Sequence, residues 1–348
     1  MLKFSYLKYS LQLAFNARTS RGTLESHDAY FIKVYDHVNP AITGWGEASP
    51  LKGLSVDGDE NFEHILIQVL EALNVGESTE QMDLIKYPAL HFGLEMALLD
   101  LTNGGKRELF DSPFIKSMPI EINGLIWMSD IETMLKEVDK KIAEGFTCLK
   151  FKIGAHDFDE ECRMLEHVRK KYSLNNLEIR LDANGSLKNN EALNQLKELL
   201  KFNIHSVEQP VAPGQADWMQ EICAKSSIKI VLDEELIGVD VLKEGKKLLQ
   251  CIKPAFIIIK PTLLGGFSLA DKWLELATQN HIGWWATSAL ESNIGLNAIA
   301  QWCSTKNIKL PQGLGTGSLY TNNIKSPLSV HRGRLIYTPR NNWELPFF

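Results

Sequence analysis

Two lysines one residue apart, Lys150-Phe-Lys152, are followed by an Arg-x-Asp-x-Asn run (Arg180, Asp182, Asn184), then by Glu208, Asp233 and Lys260. The segments that carry them, such as Phe-Lys-Ile and Ile-Ile-Ile-Lys-Pro, are apolar. Charged side chains in such settings are costly unless paired or coordinated. Residues i and i+2 of a strand share a face, so Lys150 and Lys152 point one way, as do Arg180, Asp182 and Asn184. Asp182, Glu208 and Asp233 end three consecutive β-rich segments. Neighbouring strands lie about 5 Å apart, so three such carboxylates repel one another unless a cation sits between them. Oxygen ligands with room for water suit one divalent ion, Mg²⁺, with Mn²⁺ as a substitute. The alternative, that each acid caps the helix after it, serves one acid but does not explain three flanked by lysines. A second ammonium and a nearby dication both disfavour the protonated form of Lys152. That is what a lysine general base needs. A pair of solvated lysines is the other reading of Lys150 and Lys152.

The elements that must position these residues show a period. β-rich segments recur at Ile120–Trp127, Thr147–Ile153, Leu177–Asn184, His205–Gln209, Ile228–Glu234, Ala255–Lys260, Gly283–Ser288 and Leu310–Gly313. Their polar or glycine ends, Gly124, Lys150, Asp182, Glu208, Asp233, Lys260, Thr287 and Gly313, are separated by 26, 32, 26, 25, 27, 27 and 26 residues. Amphipathic helical patterns fill the gaps, for example residues 130–145, which open on a capping Asp130 and close on Gly145. Eight alternating units predict an α/β fold, a modified (β/α)8 barrel of the TIM type over residues 119–324. An open doubly wound sheet is the alternative, but no G-x-G-x-x-G follows the early strands. Strand ends at the C-terminal face of such a barrel form its active site. Residues 1–110 read differently. Alternating segments at 3–15, 28–36 and 41–48 and helical stretches near 59–74 and 90–103 predict an N-terminal α+β capping domain. The polar stretch about 17–25 reads as a lid over the barrel mouth or as a solvated hairpin tip. Residues 325–348 break the βα period and are expected to return to the capping domain.

Composition excludes several classes. Among 348 residues, Lys+Arg is 37 and Asp+Glu is 43, and no basic block stands out, which argues against a nucleic-acid binder. The strongest apolar run, Ala255–Ile259, is too short to span a bilayer. Five cysteines without a C-x-x-C pair argue against a disulfide framework or zinc ribbon and for a reducing, cytoplasmic setting. The expected partner is a small carboxylate substrate, with no nucleic acid, no membrane and self-association into a homo-oligomer left open. Gln312–Gly317 reads either as an anion-binding backbone loop or as a tight turn. Thr287-Ser288 reads as a helix cap.

Taken together, Lys150-Phe-Lys152, Asp182-Ala-Asn184, Glu208-Gln-Pro210, Asp233-Glu234-Glu235 and Lys260-Pro261 resemble the enolase superfamily, muconate lactonizing enzyme subgroup. The match in order and spacing covers about 120 residues, and the two-part plan of cap and barrel fits the whole chain. The resemblance implies that Asp182, Glu208 and Asp233 bind Mg²⁺ and that Lys152 and Lys260 are an acid/base pair. The pairing of a lysine base with a metal-stabilised ene-diolate is a known property of this superfamily. Within the subgroup the chain is most similar to the o-succinylbenzoate synthases. The features are Glu121–Trp127, Arg180, the run Ser288–Gly295 and the run Gly313–Gly317. The resemblance implies a hydro-lyase of menaquinone biosynthesis, in which Lys150 tunes Lys152 and Arg180, Asn184, Ser288, Gly315 and Thr316 hold the substrate. The alternative in the same superfamily is an N-acylamino acid racemase or dipeptide epimerase. Dipeptide epimerases usually carry an Asp-x-Asp pair at the eighth strand, and residues 310–320 hold no acid.

Overall fold

A computed structural model describes residues 1–19, 22–188 and 190–346. The first β-rich segments form an antiparallel sheet, β1 (Leu2–Thr19), β2 (Gly22–Asp36) and β3 (Asn39–Ala48), in that order. Strands β1 and β2 pair as far as Thr19 opposite Gly22, so the stretch expected as a lid loop at 17–25 is the end of a long hairpin. Residues 20 and 21 of that stretch lie outside the described residues. Between Gln12 and Ala17 the register of β1 against β2 slips, and Leu13 bridges Tyr320 instead.

Helices α1 (Phe62–Val75) and α2 (Pro88–Thr102) pack on this sheet. Pro88 opens α2, where a missing N–H costs nothing. The carboxylate of Asp57 accepts from the free N–H groups of Ala89 and Leu90 at 2.9 and 3.2 Å. Helix α2 crosses β3 at backbone contact. A Cβ on Gly46 would lie 1.9 Å from the carbonyl oxygen of Gly93, and one on Gly44 2.0 Å from that of Ala97.

The βα alternation then runs β4 (Ile120–Glu121), β5 (Gly124–Ile126), α3 (Ile131–Ala143), β6 (Cys148–Lys152), α4 (Phe158–Lys171), β7 (Glu178–Asp182), α5 (Ala192–Leu199), β8 (Ser206–Glu208), α6 (Ala216–Lys225), β9 (Lys229–Leu232), α7 (Lys246–Ile252), β10 (Phe256–Ile259), α8 (Pro261–Leu264), α9 (Phe267–Gln279), β11 (Gly283–Ala286) and α10 (Asn293–Ser304). Local chemistry sets the helix ends. Asp130 caps α3 by accepting from Thr133 N–H, and Gly145 after it adopts a φ of 87°. Helix α4 carries Asp159, Glu160 and Glu161 in its first turn and Arg169, Lys170 and Lys171 in its last, as its dipole favours.

Strands β5 to β11 form one parallel sheet in chain order. The eighth repeat is a partial strand. Gln312 bridges Ile122 and Gly313 bridges Thr287, both in parallel. Four backbone hydrogen bonds of 2.7–3.0 Å close the ring there: Gln312 to Glu121, Asn123 to Gln312, Gly313 to Ala286 and Ser288 to Gly313. The expected barrel is thus a seven-stranded curl completed by a short seam. The C-terminal segment departs from expectation. It forms the hairpin β12 (Leu328–His331) and β13 (Arg334–Tyr337), and β13 pairs with β4 at the start of the barrel rather than with the cap. Contact with the cap comes from residues just before it: Thr321 N–H donates to the Gln12 carbonyl and Tyr9 O–H to that of Asn322. Among the described residues no helix is long and apolar enough to cross a membrane.

The β3–α2 contact generates a test. Gly46→Ala must push α2 off the sheet, and urea unfolding should show a loss of about 3 kcal/mol. A loss under about 0.5 kcal/mol would mean the two backbones are not in contact.

Candidate active site

Strand register stacks the inward side chains of the barrel in tiers. Cys148 pairs with Glu178; Lys150 with Arg180, which pairs with Ser206; and Lys152 with Asp182, which pairs with Glu208. The last tier lies at the C-terminal mouth, where Asp233 and Lys260 follow β9 and β10. All three acids are buried, as is Lys150. The Lys150 ammonium donates to Asp182 at 2.9 Å and to both oxygens of Glu208 at 3.1 Å. Lys152 sits 2.7 Å from Asp182, and Lys260 is ion-paired with Asp233.

Three ammonium groups thus face three carboxylates. Burial alone would lift the Asp182 carboxyl, but Lys150 and Lys152 outweigh it and hold it well below the usual carboxylate range. Burial would lower the amine of Lys150, yet Asp182, Glu208 and Asp233 push it up. Glu208 is raised, first by burial and then by Asp182 beside it. Glu234 is also raised, by burial and by its neighbour Asp233. Asn184 stands between two of these groups: its side-chain oxygen accepts from Lys152 at 2.7 Å and its NH₂ donates to Glu234 at 2.8 Å.

The donor set fits a hard divalent cation: three carboxylates, no sulfur, and buried charge that repels itself without a cation. In this arrangement the lysines supply that cation. Among the described residues no three acidic, histidine or cysteine side chains already stand in a ligating array. An ion bound by Asp182, Glu208 and Asp233 would displace the Lys152 and Lys260 ammonium groups from the acids, towards the cavity that both of them line.

That cavity has a volume of about 680 Å³. Lys150, Lys152, Asn184, Glu234 and Lys260 line its floor, Thr287, Ser288, Gly315 and Thr316 one wall. The cap contributes Ala14, Phe15 and Leu24 from the β1–β2 hairpin. The Phe15 ring packs edge-on against Trp127, 5.7 Å between centroids. The slip in β1 brings Phe15 there, a placement that strand alternation alone does not reveal.

Several expected roles change. Arg180 was expected to hold substrate, but it lies a tier below the mouth and is 1% exposed. Its guanidinium donates to Glu178 at 2.7 Å and to the Pro311 carbonyl at 2.8 Å, and stacks 4.2 Å from the Trp285 ring centroid. Lys150, expected to tune Lys152, donates to both Asp182 and Glu208 and holds these two acids in place. Ser288 lines the cavity, but its hydroxyl donates to Glu291. Gly315 contributes its backbone, and a Cβ there would meet only ordinary contacts at 3.4 Å and beyond. Gly313 is the constrained glycine, since a Cβ would fall 2.5 Å from the Thr287 hydroxyl oxygen. Thr287, read as a helix cap, instead turns its buried hydroxyl to the cavity wall, with no hydrogen-bond partner among the described residues. Its position two residues after Trp285, which faces the Arg180 tier, was the available signal.

Comparisons with known proteins agree with this two-part fold. Residues 133–340 match the family model described as enolase C-terminal domain-like, and residues 1–101 match that of the MenC N-terminal domain. The o-succinylbenzoate synthase of Desulfotalea psychrophila is 41% identical over 96% of this chain and 98% of its own length. The crystal structure of MenC from that organism superposes with a TM-score of 0.83, covering 96% of this chain and 99% of that one. The L-Ala-D/L-Glu epimerase of Bacillus subtilis is 23% identical over 83% of this chain and 81% of its own.

The buried clamp predicts the behaviour of Lys150→Met. Removing one partner of a buried ion pair leaves charge uncompensated, so the metal-free protein should lose about 3–5 kcal/mol in urea unfolding. Added Mg²⁺ should restore part of that loss, because it binds the native acids only. A loss below about 1 kcal/mol, or no response to Mg²⁺, would contradict the clamp.

Proposed function

The chain belongs to the enolase superfamily and, within it, to the o-succinylbenzoate synthase family, and on that premise we propose how its residues work. The reaction is the dehydration of 2-succinyl-6-hydroxy-2,4-cyclohexadiene-1-carboxylate to 2-succinylbenzoate in menaquinone biosynthesis. The observation that carries the assignment of roles is that Lys152 and Lys260, from the second and sixth strands, open on one cavity above a floor of buried acids.

Lys152 removes the proton on the carbon bearing the ring carboxylate. Asn184, held by Glu234, accepts from Lys152 and keeps its nitrogen aimed. Lys260, as an ammonium, stabilises the developing negative charge from the other face. Lys152 then returns its proton to the hydroxyl on the neighbouring carbon, the C–O bond breaks and water leaves as the ring becomes aromatic. Asp182, Glu208 and Asp233 would hold one Mg²⁺, or Mn²⁺ in its place, which when bound supplies Lewis-acid stabilisation of the substrate carboxylate. The ring lies against the wall of Thr287, Thr316 and Gly315. All five cysteines are free, which fits a cytoplasmic enzyme.

A facing lysine pair also supports proton exchange at the α-carbon of an N-acylamino acid, the racemase reading. Loss of the substrate's diene absorbance separates the two. Lys152→Ala should lower dehydration by at least about 10³-fold, the scale of a lost general acid/base. Chelation should abolish turnover, and one equivalent of Mg²⁺ or Mn²⁺ should restore it. Full activity of Lys152→Ala would overturn the assignment. Deuterium exchange into an N-acylamino acid without any dehydration would favour the racemase.

A further inference from the structure

Two hydroxyls on one wall of the cavity, those of Ser288 and Thr316, are ordered in a single direction. Ser288 O–H donates to Glu291, while its oxygen accepts from Thr316 O–H at 2.8 Å and from Leu290 N–H at 3.1 Å. A hydroxyl has one proton and two lone pairs, so Ser288 is saturated. The proton of Thr316 is committed to Ser288, and its oxygen offers the cavity lone pairs alone. Glu291 fixes that order. It is fully buried, and Thr262 O–H, Ser288 O–H and Ala289 N–H all converge on it as donors. An ionised carboxylate can only accept. The chain of protons runs from Thr316 to Ser288 to Glu291 and cannot reverse while Glu291 is charged.

We propose that Glu291, acting through Ser288, makes Thr316 an acceptor-only contact for a hydrogen-bond donor on the substrate. The proposal rests on the dehydration assigned above. That substrate carries two carboxylates, a ketone and one hydroxyl, and the hydroxyl on ring carbon 6 is its only donor. The reaction expels that hydroxyl as water, so the product has acceptors only. The wall at Thr316 distinguishes substrate from product by hydrogen-bond polarity, since in the product an aromatic C–H replaces the donor and leaves the Thr316 oxygen without its partner. It also orients the leaving oxygen. With its hydrogen on Thr316, the hydroxyl turns its lone pairs to the ammonium of Lys152, which supplies the proton as the C–O bond breaks. Thr316 is a contact residue, and Glu291 and Ser288 are positioning residues.

The test compares substrate turnover with inhibition by 2-succinylbenzoate. Thr316→Val removes the acceptor at nearly constant shape. It should lower kcat/KM about tenfold or more, while the product's inhibition constant moves less than about twofold, since the product makes no donor contact there. Thr316→Ser should recover most of the loss. Glu291→Gln sets its amide oxygen on the Ala289 N–H and the Ser288 O–H and its NH₂ on Thr262, whose hydroxyl can turn to accept, so the order of protons survives loss of the charge. That variant should keep the ratio of substrate turnover to product inhibition within about twofold of the wild type. Melting temperatures establish that each variant folds; if Glu291→Gln does not, the Thr316 pair decides. Equal loss of substrate and product binding in Thr316→Val, or no change in either, overturns the proposal. A wild-type enzyme that fails to dehydrate the compound overturns the reaction reading and this contact together, whereas a flat ratio in an active enzyme overturns this contact alone.

Discussion

Three carboxylates and three ammonium groups, buried side by side at the mouth of a barrel, are the constraint on which the rest of the structure depends. Each charge alone would be expelled from so dry a place or neutralised there. Asp182, Glu208 and Asp233 persist because Lys150, Lys152 and Lys260 reach them. The balance has one fixed element and two movable ones. All three lysines line the cavity, but Lys150 is clamped by both Asp182 and Glu208, whereas Lys152 and Lys260 each pair with one acid. A dication held by the acids would leave the two movable lysines free without leaving the floor uncompensated.

Such a site needs a rigid frame, and the cap helps to provide it. Glu47 at the end of β3 accepts from Ser292 N–H and Gly295 N–H at 2.7 and 2.8 Å, capping barrel helix α10 from another domain. Glu95 of α2 does the same for α9 through Phe267 and Ser268. Gln301 of α10 returns the tie by accepting from Leu109 and Phe110 in the linker. The Glu47 and Glu95 bonds satisfy helix-end N–H groups that would otherwise lack a partner. With cap and barrel tied this way, the β1–β2 hairpin can set Phe15 against Trp127 and close one side of the cavity.

The cluster of ionisable residues at the barrel mouth was legible in the sequence because its signal is chemical and periodic. Ionisable residues in apolar strands about 26 residues apart specify both a barrel and its working face. Depth and partners were not legible. Arg180 shares a face with Asp182, but alternation says nothing about its tier, so a residue of the barrel interior read as a substrate contact. The direction of the Ser288 hydroxyl depends on Glu291, whose role needs a loop conformation to be seen. The C-terminal hairpin pairs with β4 by edge hydrogen bonds that carry no composition signal. The eighth strand shrank to two bridges because seam closure needs only the backbone of Gln312 and Gly313.

The central claim is that the acids hold the metal while the lysines they now engage turn to the substrate. A crystal structure with Mg²⁺ and 2-succinylbenzoate tests it most directly. The account predicts one ion ligated by Asp182, Glu208 and Asp233, Lys150 still clamped, and the Nζ atoms of Lys152 and Lys260 on opposite faces of the ring. An ion bound elsewhere, or Lys152 and Lys260 still paired with the acids beside bound product, would contradict it.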